Sequence, residues 1–117
     1  MLIGHPGSSF EIDMESAGHC RKLVEQGLLG GLSAVHVVPY PGTALARMAD
    51  SGRIKVIESR PNRWTMNEPL TELLDERGRV SYSTEQMRQV FREYLDIQDR
   101  CRTIAGHVSG DNHNAIV

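Results

Sequence analysis

Two short apolar runs, Met1-Leu2-Ile3 and Ala34 to Val38, each end in a bend built from proline and glycine. The first bend is Gly4-His5-Pro6-Gly7 and the second is Pro39-Tyr40-Pro41-Gly42-Thr43. Between the runs, Phe10, Met14, Ala17, Cys20 or Arg21, Val24 and Leu28 recur at three- and four-residue steps, the spacing of one helical face. Ser8-Ser9-Phe10-Glu11 reads as a capping box in which Ser8 accepts from the Glu11 amide, and Gly30-Gly31 offers the C-terminal stop. Leu32 to Val38 is nearly continuous in apolar and β-branched residues, which suits a strand covered on both faces, hence a parallel one. Pro39 and Pro41 cannot donate ladder hydrogen bonds, so that strand stops, and Thr43 caps a short helix reaching Ser51-Gly52. The result is a β-α-β-α unit whose strand ends share one edge, with the polar backbone of Val38 to Tyr40 expected to be free there. In parallel α/β folds ligands bind at that edge.

Beyond Gly52 the periodicity weakens. Ile54, Val56 and Ile57 suggest a brief edge strand that Arg60-Pro61-Asn62-Arg63 breaks, and Trp64 is expected to pin an irregular loop onto the body of the domain. Glu72 to Asp75 reads as one helical turn closed by Arg77-Gly78. The last strong element runs from Ser83 to Ala105, opened by a second capping box, Ser83-Thr84-Glu85-Gln86, and closed by Gly106. Met87, Val90, Phe91, Tyr94, Ile97, Cys101 and Ile104 form its apolar stripe; Arg88, Arg92, Glu93, Asp96, Asp99 and Arg102 form an opposite face read as solvated. The expected organisation is a single unit over residues 1–106 and a polar, disordered tail over 107–117.

Composition narrows the function more than the fold. The 117 residues carry a formal net charge of -2, which gives no electrostatic case for nucleic acid or an anionic membrane as partner. No apolar stretch approaches the roughly 20 residues of a membrane span, and Met1 is not followed by a signal peptide pattern, so the expected location is cytoplasmic. The two cysteines, Cys20 and Cys101, lie in separate helical patterns and read as ordinary thiols. The five histidines show no metal-ligand spacing, and Ser8, Ser9, Cys20 and Ser33 lack a nucleophile elbow. The first bend has neither the Lys-Ser/Thr of a P-loop nor a G-x-G-x-x-G fingerprint. No catalytic residue and no metal ligand is therefore nominated. A glycine bend can present backbone to a ligand, and Tyr40, fixed between two prolines, can either face a planar ligand or cap the core. His5 reads equally as a ligand contact or a polar turn residue.

Together, the two bends resemble the C-terminal portion of the catalytic domain of radical S-adenosylmethionine (SAM) enzymes, closest to the subgroup with an upstream cobalamin-binding domain. Gly4-His5-Pro6-Gly7-Ser8-Ser9 matches a Gly-Xaa-Pro-Gly-Glu-Thr-like bend, Pro39 to Thr43 matches Pro-Tyr-Pro-Gly-Thr, and Leu45, Gly52, Arg53, Ile54 and Trp64 resemble the segment that follows. The likeness covers roughly the first sixty-five residues. It implies a partial (β/α) barrel and a SAM site lined by Gly4, His5 and Pro6 on one strand end and Val38, Pro39 and Tyr40 on the next. Ser8 departs from the acidic or amide residue of the pattern, and the C-x-x-x-C-x-x-C loop that holds a [4Fe–4S] cluster is absent. The resemblance thus implies an incomplete enzyme: the cluster, and cobalamin in that subgroup, belong to a complete relative, and the partner would be a missing N-terminal barrel half. The competing expectation is a small, non-catalytic α/β interaction domain that self-associates.

Overall fold

In the computed structural model, which describes the backbone of residues 1–116 and the side chains of residues 1–104, β1 (Leu2–Ile3) and β2 (Val35–His36) pair in parallel. Leu2 stands opposite Val35 and Ile3 opposite His36. The Met1 and Ile3 carbonyls accept from Val35 and Val37, so the amide and carbonyl of Leu2 face away from β2, along an open sheet edge. On its far side β2 is flanked by the loop after Trp64, whose Met66 carbonyl accepts from the His36 amide at 2.8 Å.

Helix α1 (Phe10–Glu25) joins the two strands. Its cap is Ser9, whose hydroxyl accepts from the Ile12 amide; Ser8 instead donates to the Asp13 carboxylate, and Glu11 is exposed, so the expected Ser8–Glu11 box is not formed. The helix also ends earlier than expected. Gly27 takes a φ of 72°, and the Leu28 and Gly27 amides bond back to the Leu23 and Val24 carbonyls, closing a Schellman motif before Gly30 is reached. Leu28 is consequently exposed rather than part of the core face.

The second bend leads into α2 (Ala44–Asp50), capped by Thr43 as the sequence indicates. A three-stranded antiparallel sheet follows, ordered β3 (Ile54–Val56), β4 (Thr71–Leu74), β5 (Val80–Tyr82). β3 is the expected edge strand. The Glu72 to Asp75 segment is not a helical turn; it belongs to a hairpin whose tip is held by Asp75, which takes the Arg77 and Arg79 amides on one carboxylate oxygen. Trp64 anchors its loop, donating from Nε1 to the Glu58 carbonyl at 2.7 Å.

Helix α3 (Thr84–Ile116) opens with the predicted reciprocal cap, Ser83 amide to Gln86 side chain and Gln86 amide to Ser83 hydroxyl. It continues past Gly106, where the sequence pattern closes it; the expected tail 107–117 falls on residues whose side chains lie outside those described. Met87, Val90, Tyr94, Ile97 and Cys101 are buried, with Phe91 and Ile104 packed against them, and meet Ile3, Ala17, Cys20 and Val24 in one core. The opposite face of α3 is not wholly solvated. Glu93 and Asp96 hold the Arg21 guanidinium at 2.6 and 2.8 Å, and Arg100 holds Glu25 at 2.9 Å, clasping α3 to α1.

The molecule is therefore a mixed α/β fold with a two-stranded parallel sheet, a three-stranded antiparallel sheet and helices. Among the described residues, no helix is long and apolar enough to cross a membrane.

Candidate functional site

Because β1 and β2 run in parallel, both proline-glycine bends leave the sheet at the same end. Side chains alternate along each strand, so Ile3 and His36 point to one face and Leu2, Val35 and Val37 to the other. The first face is sealed against α1 and α3. On the second face, α2 leans over the sheet without closing it. A hollow of about 440 Å³ remains, walled by Leu2 from β1, Val37 and Val38 just past β2, His5 and Pro6 from the first bend, and Met48 from α2. Of the six residues nominated from sequence, His5, Pro6 and Val38 line this hollow.

The other three sit around it. Gly4 has a φ of 79°, which favours glycine, and a Cβ there would lie 3.0 Å from the Met87 thioether, which would have to give way. Pro39 is buried. Tyr40 is 54 % exposed and meets the Trp64 ring edge-on at 5.9 Å, forming an aromatic ledge at the end of β2. The expected free backbone at Val38 to Tyr40 is largely spent within the bend. The Val38 carbonyl accepts from Tyr40, and the Tyr40 carbonyl accepts from both the amide and the hydroxyl of Thr43. The His5 carbonyl likewise takes the Ser8 amide. The hollow thus presents mainly side chains to a ligand.

A buried carboxylate that sequence reading missed braces the first bend. Asp13, on the inner face of α1, accepts from the Gly4 amide at 3.3 Å, the Ser8 hydroxyl at 2.5 Å and the Tyr82 hydroxyl at 2.6 Å. It ties the open edge of β1, the bend and β5 to one point. Burial, reinforced by the hydrogen bond to Asp13, raises the Tyr82 phenol pKa far above its usual value, so Tyr82 stays a donor. The signal available in the sequence is an aspartate on the 10, 13, 17, 20, 24 spacing of the α1 core face, where a charge has no business unless it is bonded.

His36 is the second overlooked group. It is 2 % exposed, meets the Phe91 ring at a tilt with centroids 4.9 Å apart, and neither ring nitrogen has a hydrogen-bond partner among the described residues. Desolvation, with Arg88 adding a smaller like-charge effect, lowers its pKa to about 4, so the imidazole is neutral at pH 7.

The residues present fit one of the groups implied by the resemblance and not the other. An apolar hollow with one imidazole at its rim suits a flat heterocycle such as adenine. Cys20 and Cys101 are both buried, on α1 and α3, and two thiols on different helices do not make a cluster site. Among the described residues, no group of three histidines, cysteines or carboxylates is placed to hold a metal ion. The chain matches no family model, no curated protein and no solved structure.

Proposed function

We propose that this chain is the C-terminal slice of a radical SAM barrel, supplying part of the nucleoside site while the cluster-holding half lies on another part of the protein or on another chain. The observation that carries this reading is the parallel register of β1 and β2, with both bends at one end around an apolar hollow. In such an enzyme SAM, reductively cleaved, supplies a 5′-deoxyadenosyl radical. The role argued for these residues is binding: Leu2, Val37 and Val38 give the adenine face a dry surface, Pro6 fixes the approach of the first bend, and His5 offers one polar contact. No step is assigned to an iron–sulfur cluster, because the cysteines do not fit one, and cobalamin enters only through the upstream domain of a complete relative.

Calorimetric titration with S-adenosylhomocysteine tests the reading. Saturable, weak binding in the sub-millimolar range is expected of part of a site; a flat titration at millimolar ligand overturns it. Anaerobic iron–sulfur reconstitution of this polypeptide alone is expected to give no cluster absorbance, and a stable SAM-cleaving cluster would contradict the claim of incompleteness.

The open edge of β1, beside exposed Met1, Leu2 and Ile12, also favours a second reading, a self-associating interaction domain. A two-stranded parallel sheet needs company under either reading. Size-exclusion chromatography with light scattering separates them: a folded dimer indifferent to S-adenosylhomocysteine supports self-association, and S-adenosylhomocysteine binding without a defined dimer supports the barrel slice.

A further inference from the structure

The edge of β1 that faces away from β2 carries one unspent pair of backbone groups. The Met1 and Ile3 carbonyls serve Val35 and Val37, and Asp13 holds the Gly4 amide, which leaves the Leu2 amide and carbonyl pointing outward. Leu2 is half exposed, as are Met1 and Ile12. A residue that offers both its N–H and its C=O on one edge is complementary to itself, because two such residues in an antiparallel pair exchange both bonds. A second copy of the chain therefore matches this edge without further adjustment.

Helix α1 carries a stripe that suits the same partner. A hollow of about 650 Å³ is bordered by Met1 at the strand edge and by Ile12, Glu15, Ser16, His19 and Lys22 on the helix, so the edge and this side of α1 form one surface. Ile12, Ser16, His19 and Leu23 follow the four-three-four spacing of a helix–helix seam, and Glu15 and Lys22, seven residues apart, flank it. Both charges are exposed, and neither has an ion-pair partner among the described residues. Arg21 and Glu25, the residues that clasp α3, fall on the opposite side of α1 at about 100° per residue, so α3 does not cover the stripe.

We infer that this surface is an isologous interface between two copies of the chain. A two-fold axis between the paired Leu2 residues joins the two ribbons into one sheet ordered β2-β1-β1-β2, and sets the two α1 helices antiparallel on one face of it. The midpoint of the helical seam falls near Gly18, so Glu15 of each copy meets Lys22 of the other. A parallel arrangement would instead place like charges together, and it is the charge pattern that selects the two-fold one. One axis closes the assembly and leaves no β1 edge free. The hollow beside Val37 and Val38 opens on the other face of the sheet, so each copy keeps it. The inference deepens the self-association reading and does not rest on any ligand in the hollow.

Sedimentation equilibrium of the full chain and three variants tests it. The wild type should reach a dimer and no larger species. Leu2→Pro removes the outward N–H without touching the β1–β2 ladder, and should raise the dissociation constant at least about tenfold because both interchain bonds lose their donor. Glu15→Lys sets like charges opposite one another twice and should weaken the dimer severalfold, and the charge-swapped E15K/K22E should restore it. Glu15 and Lys22 are exposed, so the charge variants carry the test even where Leu2→Pro disturbs folding. A chain that stays monomeric up to about 1 mM, an open series of larger species, or a dimer indifferent to Leu2→Pro and Glu15→Lys overturns the interface. A monomer that binds S-adenosylhomocysteine overturns it while leaving the nucleoside reading intact. A dimer that responds to the variants beside a flat S-adenosylhomocysteine titration leaves the interface standing and removes SAM from the hollow.

Discussion

The two faces of the β1–β2 ribbon are built from neighbouring residues and have opposite fates. Ile3 is 1 % exposed and belongs to the core shared by α1 and α3, whereas Leu2, the adjacent residue, is 48 % exposed at the mouth of the hollow. His36 is sealed against Phe91, while Val37, though buried, lies outside that core and forms the floor of the hollow. The second strand, which reads from sequence as covered on both sides, keeps Val37 buried, but the hollow beside it and the exposed Leu2 leave that face of the ribbon incompletely covered. The incompletely covered side is also where the bends emerge, so the same asymmetry that leaves apolar surface uncovered leaves room for a ligand.

The comparison can be broken most directly by truncating each face. Ile3→Ala should destabilise the fold by about 2–5 kcal/mol, the range for a fully buried aliphatic deletion, and Leu2→Ala by about 1 kcal/mol or less; urea midpoints read both. Equal losses would mean that the two faces are covered alike.

The sealed face also predicts a pH response. His36 is buried, and its folded pKa of about 4 lies below the ordinary 6.5, so between those values the unfolded chain binds more protons than the folded one. Stability should be fully present above pH 6.5 and fall as pH drops toward 4, by roughly 3 kcal/mol at most from this group. His36→Phe, which keeps the contact with Phe91, should flatten that part of the profile. An unchanged slope would place the titration elsewhere.

A smaller effect is expected where the open edge meets the site. Asp13→Ala leaves the buried Tyr82 hydroxyl and the Gly4 amide without their acceptor and should cost on the order of 1–3 kcal/mol. Its signature should be local: faster amide exchange at Gly4 to Ser8 than at the α1–α3 contact. Uniform acceleration would show that Asp13 supports the whole core rather than the bend.

Local signals were legible in the sequence. The α3 capping box, the Thr43 cap and the α3 stripe follow from residue spacing, because each depends on neighbours within a few positions or on a run long enough to show its period. The parallel pairing of the two apolar runs, 33 positions apart, rests instead on their apolar, β-branched character and the helix between them. The hairpin did not, because Leu70, Leu73 and Leu74 fit a helical step as well as a strand; the partner strand β3 decides the matter. The α1 stop moved from Gly30 to Gly27, since the first glycine able to take the left-handed turn ends the helix. In the candidate site the two bends were readable as motifs, and the structure brings His5, Pro6 and Val38 to one hollow. Asp13 and His36 were not read as site residues, because their roles depend on Tyr82 and Phe91, far away in the chain.

The central claim is that the ends of β1 and β2 together bind a nucleoside, and an amide chemical-shift map during S-adenosylhomocysteine titration tests it most directly. The account predicts saturable shifts confined to Gly4, His5, Val37, Val38, Tyr40 and the start of α2, with the α1–α3 contact unmoved. Shifts centred on α3 or on the hairpin, with both bends silent, would contradict it.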